Sequence, residues 1–213
     1  MNIRLAIVCT AALTIPILSS NGELGQDAEQ RVIEDAVMDL KAKRFDAAAG
    51  KLLEAQKLDP PSAAILNLLG AVYTKKKDFQ TAKILFERSL AREPGFFPAA
   101  FNIGELLFLE KQYRQAFDYF SKMLSADPAN ELLQFKMVLC LLLMGQAEEA
   151  EKLLARMIFP GNGPAWYYAQ AASQIMGGNR RKAGELLANA QVIFPGKTSL
   201  YEETFEDLGW PAR

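Results

Sequence analysis

The sequence predicts an all-α fold, an α-solenoid in which antiparallel helix pairs stack on one another along the chain. Two periodic features carry this prediction. One is a series of alanines at intervals of 34, 34, 34 and 33 residues, and the other is a series of prolines with the same spacing. A fixed period of this length is typical of repeat proteins, in which each repeat buries its apolar face against its neighbours. The alanines are Ala48, Ala82, Ala116, Ala150 and Ala183, and the prolines are Pro60, Pro94 and Pro128.

The first 22 residues are expected to be a secretory signal peptide (1–22). Arg4 precedes an apolar stretch from Leu5 to Leu18, and small polar residues follow up to Gly22. A positive start, an apolar centre of about 7 to 15 residues and small side chains at the cut define such a segment. The alternative is an uncleaved N-terminal membrane anchor, although the run is shorter than the roughly 20 residues that span a bilayer. We therefore expect export to a bacterial periplasm or cell envelope, with residues 23–28 as a short linker.

Each repeat is predicted to contain two helices. In the second repeat, Leu66, Leu69 and Tyr73 are spaced by three and four residues, as one face of a helix requires. Ala82 and Phe86 lie one turn apart in the helix that follows. A proline cannot continue a helix, so the recurrent prolines separate successive repeats. The predicted repeats are 29–62, 63–96, 97–130, 131–163 and 164–197, and residues 198–213 are expected to form a capping helix and tail.

The small residues of the repeats have a packing purpose. Gly70 and Ala82 allow two helix axes to approach closely, while Tyr73 and Phe86 fill the space beside them. A glycine inside a helix costs up to about 1 kcal/mol relative to alanine, so close packing must offset it. A larger side chain at Gly70 is therefore expected to destabilise the fold.

A capping helix is predicted after the last repeat, because stacked repeats leave an apolar end that needs a polar cover. Ser199 and Glu202 have the spacing of a capping box, and Gly209 is a stop signal. Tyr201 and Phe205 lie on one face of this helix, which is expected to cover the fifth repeat.

No constellation of residues in the sequence favours catalysis. It contains no histidine, which removes the commonest general base and transition-metal ligand. Cys140 lies in an apolar run, where a thiol is usually inert. The 24 basic and 25 acidic residues give a net charge of −1, which disfavours non-specific nucleic-acid binding. We predict that the protein is not an enzyme, and that it needs no cofactor and no metal.

These repeats resemble the tetratricopeptide repeat family. The residues that carry the resemblance are Leu66, Leu69, Gly70, Tyr73, Phe79, Ala82, Phe86 and Pro94 in the second repeat, with Asn102, Ile103, Gly104, Tyr113, Ala116, Phe120 and Pro128 in the third. The resemblance implies a right-handed solenoid that binds another protein through a concave surface lined by the first helix of every repeat. The residues that it assigns to this groove are Ile33, Val37, Leu40, Asn67, Ala71, Thr74, Phe101, Asn102, Glu105, Phe108, Phe135, Lys136, Leu139, Leu142, Tyr168, Ala172 and Ile175.

The groove assigned in this way is apolar, which leaves three interpretations open. It could dock an extended peptide or amphipathic helix from a partner, as an adaptor or assembly scaffold does. Its side chains could instead pack against neighbouring helices or against the chain's own terminal segment. A third interpretation is a structural homo-oligomer that self-associates through the same face. Basic residues at the turns inside repeats also suggest, more weakly, a contact with a membrane surface or an acidic partner.

Overall fold

A computed structural model describes residues 23–56 and 61–211, with side chains described from Ala28 onward in the first of these segments. Within these segments the chain forms eleven α-helices and no strand, which confirms the predicted all-α class of helix pairs. The expected signal peptide lies outside the described residues. The helices are α1 Glu23–Lys41, α2 Phe45–Gln56, α3 Ala63–Lys75, α4 Phe79–Arg92, α5 Phe97–Leu109, α6 Tyr113–Ala126, α7 Glu131–Leu143, α8 Ala147–Leu154, α9 Ala165–Met176, α10 Arg180–Ile193 and α11 Ser199–Asp207.

The chain divides into two compact units between Leu106 and Leu107. In the N-terminal unit, α1 packs on α2 and α3 packs on α4, while α3 also contacts both helices of the preceding pair. In the C-terminal unit, α7 packs on α8, α9 packs on α10, and α9 contacts both α7 and α8. In each unit a helix pair, α1–α2 or α7–α8, therefore packs internally and against the first helix of the next pair.

The recurrent alanines lie in the interior of the helix packing. All five are completely buried: Ala48, Ala82, Ala116, Ala150 and Ala183. The predicted close approach at Gly70 is present, because a Cβ on this residue would lie 2.5 Å from Cε1 of Phe86. The Phe86 ring on α4 thus occupies the space that the missing side chain leaves on α3.

The turn inside each repeat contains one residue in the left-handed backbone conformation. Lysines hold this position in the first three turns, Lys43, Lys77 and Lys111, with φ between 59° and 65°. Glycines hold it in the next two, Gly145 and Gly178. At Lys77 the backbone N–H donates to Thr74 O, and the next N–H, of Asp78, donates to Tyr73 O. This Schellman motif satisfies carbonyls at the end of the helix and reverses the chain.

Two boundaries differ from those expected. Residues 23–28, expected as a linker, lie in the first turns of α1. The N-cap of α11 is Thr198 instead of Ser199, and the Thr198 hydroxyl donates to the Glu202 carboxylate at 2.8 Å. Helix α8 has only eight residues, so a longer connection, 155–164, leads from it to α9. No helix in the described part of the chain is long and apolar enough to cross a bilayer.

Candidate functional site

The predicted groove residues are almost entirely buried. Fifteen of the seventeen are buried, while Val37 and Ile175 are half-buried. The N-terminal unit contains Ile33, Val37, Leu40, Asn67, Ala71, Thr74, Phe101, Asn102 and Glu105, and the C-terminal unit contains Phe108, Phe135, Lys136, Leu139, Leu142, Tyr168, Ala172 and Ile175. What their side chains contact differs between the two units.

In the first helix pair, the groove positions belong to the core. Ile33 and Leu40 lie in one apolar cluster with Leu52 and Leu69, and Val37 packs against it. Burial of a whole aliphatic side chain contributes about 1.5–3 kcal/mol. These residues stabilise the N-terminal unit, and their role in partner binding stays a prediction.

Three polar groove residues of the N-terminal unit, Asn67, Thr74 and Asn102, form hydrogen bonds with one another or with the backbone. The Asn102 side-chain amide on α5 donates to the Asn67 side-chain oxygen on α3 at 2.9 Å. Thr74 donates its hydroxyl to the Gly70 carbonyl one turn earlier, at 2.8 Å. A buried polar group without a partner would cost about 1–3 kcal/mol, so these bonds make the burial possible.

In the C-terminal unit, helix α11 packs on groove residues of α7 and α9. Tyr201 lies with its ring centroid 5.0 Å from that of Phe135 on α7 and 5.3 Å from that of Tyr168 on α9. Phe205, one turn later, lies 6.5 Å and 5.2 Å from the same two rings. The expected capping helix therefore reaches beyond the fifth repeat to α7 in the fourth. The chain's own terminal segment is packed on the predicted groove.

Lys136 gives this surface a polar centre. Its side chain is only 1% exposed, and Nζ donates to Oγ1 of Thr204 on α11 at 3.0 Å. The ammonium also lies over two aromatic rings, 5.1 Å from the Phe108 centroid and 5.8 Å from that of Phe135. Cation–π contacts of this kind partly replace the water that a buried ammonium loses. We call Phe135, Lys136 and Tyr168 the α7–α9 slot.

Two further features accompany the packing of α11 in the α7–α9 slot. Burial raises the pKa of the Tyr201 phenol, with the nearby Glu131 carboxylate adding to the effect. At the other end of the helix, Trp210 folds back so that its ring lies 5.4 Å from that of Phe205. The backbone N–H of Trp210 donates to Phe205 O, the same Schellman pattern that ends the first helices of the repeats.

The connection between α8 and α9 is a second surface feature, which the sequence patterns did not indicate. Ile158 and Phe159 are exposed there, at 67% and 58%. The Phe159 ring lies 4.3 Å from the Trp166 ring. Glu131, at the start of α7, holds the connection, because its carboxylate accepts the backbone N–H groups of Asn162 and Gly163 at 2.6 and 3.0 Å.

Basic residues at the turns of the N-terminal unit are partly neutralised. Arg44 and Lys51 both bond to Asp39, at 2.7 and 2.8 Å, and Lys76 bonds to Asp46 at 2.8 Å. The hydrogen bond from Lys51, followed by that from Arg44, lowers the pKa of the Asp39 carboxyl. Exposed ion pairs contribute little to stability, but they reduce the net positive charge of this edge.

The described side chains contain no group of three or more potential metal ligands. Cys140 is buried and not in a disulfide. The packed helices form an apolar slot that holds the short amphipathic helix α11. Such a surface is suited to binding a helix or peptide.

The repeats themselves define the class of protein. Models of the tetratricopeptide repeat match residues 63–96 and 107–173, so the chain contains tetratricopeptide repeats in these two segments. Proteins built from such repeats are generally non-enzymatic interaction modules that present extended binding surfaces. The protein is accordingly a helical-repeat interaction scaffold.

Solved structures with this fold include several repeat proteins. TTC0263, a thermophilic TPR protein of Thermus thermophilus, is 21% identical with a TM-score of 0.66, over 84% of this chain and 98% of that one. PilF of Pseudomonas aeruginosa is 17% identical with a TM-score of 0.62, over 86% and 87%. MamA of Desulfovibrio magneticus is 18% identical with a TM-score of 0.57, over 78% and 95%. At these identities the similarity establishes the fold alone.

Proposed function

We propose that this protein is an adaptor or assembly scaffold that docks a helix or peptide of another protein on the apolar face of its first helices. One observation carries the proposal: the α7–α9 slot holds an amphipathic helix, α11, through two aromatic side chains one turn apart. Docking of an amphipathic helix on an apolar face is a recurrent mode of peptide recognition.

The cellular setting of the proposal comes from the sequence. The layout of residues 1–22 supports export to a bacterial periplasm or cell envelope, with a retained N-terminal anchor as the alternative. The net charge of −1 supports a protein partner over nucleic acid. The basic turns of the N-terminal unit support, more weakly, a contact with anionic lipid, and Asp39 and Asp46 reduce that attraction.

Photocrosslinking in the native compartment tests the proposal. A photoreactive amino acid is placed at Ile175, the half-buried groove position of α9, and at Val37, the half-buried groove position of α1. Val192 on α10 is the control, because it is 80% exposed and outside the predicted groove. We expect discrete crosslinks to a second protein from Ile175 or Val37 and none from Val192.

The products separate the alternatives. A crosslinked homodimer, accompanied by a dimer in light scattering, would favour the structural self-associating protein over the adaptor. Equal crosslinking at all three positions would show non-specific contact and would contradict a groove. Absence of any crosslinked protein would contradict docking at this face.

A further inference from the structure

Helix α11 contacts the α7–α9 slot through one narrow stripe. Tyr201, Thr204 and Phe205 are its buried residues, whereas Glu202 and Glu203 between them are half-buried. Residues three and four positions apart share one face of a helix, so the two rings and the hydroxyl enter the slot together. The stripe reads aromatic–x–x–hydroxyl–aromatic.

Each position of this stripe meets a matching group. Both rings contact Phe135 and Tyr168 at the distances given above, in edge-to-face, tilted and stacked arrangements. The Thr204 hydroxyl accepts from Lys136 Nζ at 3.0 Å and donates to Leu200 O at 3.1 Å. An apolar side chain in place of Thr204 would remove this bond from a buried ammonium, which is costly. The slot therefore favours a helix that presents a hydroxyl group between two aromatic rings, in addition to apolar surface.

Helix α11 is also suited to leaving the slot. It has nine residues, fewer than the roughly 12–15 at which isolated helices become even marginally stable in water. It is the last helix in the described part of the chain, and it follows a short connection through Pro195 and Gly196. Its departure would uncover Phe135 and Tyr168, a cost that a partner helix in the slot would offset.

We propose that the α7–α9 slot is the site for an amphipathic helix of a different protein that carries the pattern aromatic–x–x–hydroxyl–aromatic, with α11 as its occupant in cis. The inference rests on the proposed function and adds the chemistry of the partner. A tethered segment has an effective concentration on the order of millimolar. A partner must therefore bind the slot more tightly than α11 does, through a longer helix or further contacts.

A labelled peptide with the sequence of residues 197–211 is the probe. It is titrated by fluorescence anisotropy into the full chain and into the Tyr201→Ala, Phe205→Ala double variant, which weakens the occupant in cis. We expect the double variant to bind the peptide at least about tenfold more tightly than the unaltered chain does, because the tethered competitor is weakened. The control peptide carries the same two alanines and should bind neither chain.

Hydrogen exchange of the unaltered chain provides a second readout that needs no variant. We expect the backbone amides of α11 to exchange faster than those of α7, and faster still with excess probe peptide. Equal exchange in α11 and α7, unchanged by the peptide, would overturn the proposal. Equal peptide binding by the unaltered chain and a folded double variant would also overturn it.

Light scattering distinguishes a second copy of this chain from a different protein. If the double variant recruits α11 of the unaltered chain into a stable dimer at micromolar concentration, the natural occupant is a second copy and our assignment is wrong.

The peptide titration is independent of the native crosslinks. Peptide binding without crosslinks would contradict only the proposed function, whereas crosslinks without peptide binding would contradict only the assignment of the slot.

Discussion

Helices α3 and α4 are held together differently from α7 and α9. In the N-terminal unit, the Phe86 ring fills the space beside Gly70, and both residues belong to one repeat. In the C-terminal unit, α11 inserts its rings between those of Phe135 and Tyr168, and the bonded pair Lys136 and Thr204 is 68 positions apart in the chain. The first contact lies within one repeat and follows its period. The second depends on an element outside the repeats, so the stability of the C-terminal unit is tied to the occupancy of the slot.

The largest expected effect comes from removing a ring of α11. Phe205→Ala should lower the free energy of unfolding of the C-terminal unit by about 3–5 kcal/mol, because Phe205 is completely buried. Hydrogen exchange should show the loss in α7 and α9 and not in α1 or α3. Phe159→Ala is the control, since that ring is 58% exposed and should cost about 1 kcal/mol. Equal losses in both units would contradict the contrast between them.

The corresponding change in the N-terminal unit is Gly70→Ala. We expect a loss of about 1–3 kcal/mol, because the new methyl group would overlap the Phe86 ring. Gly50→Ala on α2 is the matched control, since nothing lies within 4 Å of its Cβ position. That variant should gain up to about 1 kcal/mol from helix propensity. Chemical denaturation of the two variants should therefore shift in opposite directions; a shared direction would refute the close contact.

Low pH should lower the stability of the N-terminal unit, because Asp39 becomes protonated. Folding lowers the pKa of this carboxyl below its usual value of 3.8, so the unfolded chain binds the proton first as the pH falls. The stabilisation is complete above that pH and is lost as the pH falls through the folded pKa. Asp39→Asn should thus flatten the acid limb of the stability curve, measured by thermal unfolding between about pH 5 and pH 2. An acid limb that Asp39→Asn leaves unchanged would contradict this contribution of Asp39.

The smallest expected effect concerns the turns. Lys77→Gly should stabilise the fold by up to about 1 kcal/mol, because glycine adopts a positive φ without steric cost. Gly145→Lys, at the same position of a C-terminal turn, should destabilise it by a similar amount. Thermal melting of the pair should move in opposite directions. Two shifts of the same sign would show that the left-handed conformation is not what distinguishes these turns.

Periodic features of the fold could be predicted from the sequence. The helix pairs and the close approach of Gly70 to Phe86 follow from spacings inside one repeat. The left-handed turn residues were less visible, because lysine at Lys43, Lys77 and Lys111 gives no signal of a positive φ, whereas glycine at Gly145 and Gly178 does. The start of α1 at Glu23 was missed because no residue there marks a boundary.

The candidate site was predictable only in part. Its positions on α7 and α9 follow from the repeat, and Tyr201 and Phe205 were expected to share one face of a capping helix. Nothing in the local pattern indicates that this face reaches α7, because the contact between Lys136 and Thr204 is non-local. The sequence left the burial of Ile33 and Leu40 open, since an apolar stripe on a first helix is the same for a core and for a groove.

The buried thiol of Cys140 can report when α7 opens to solvent. Its thiol is completely buried in the helix that carries Phe135 and Lys136. A thiolate must reach solvent before an alkylating reagent can attack it. With Cys9 replaced by serine, the rate of alkylation therefore measures how often α7 opens, in the native protein and without a fluorescent label.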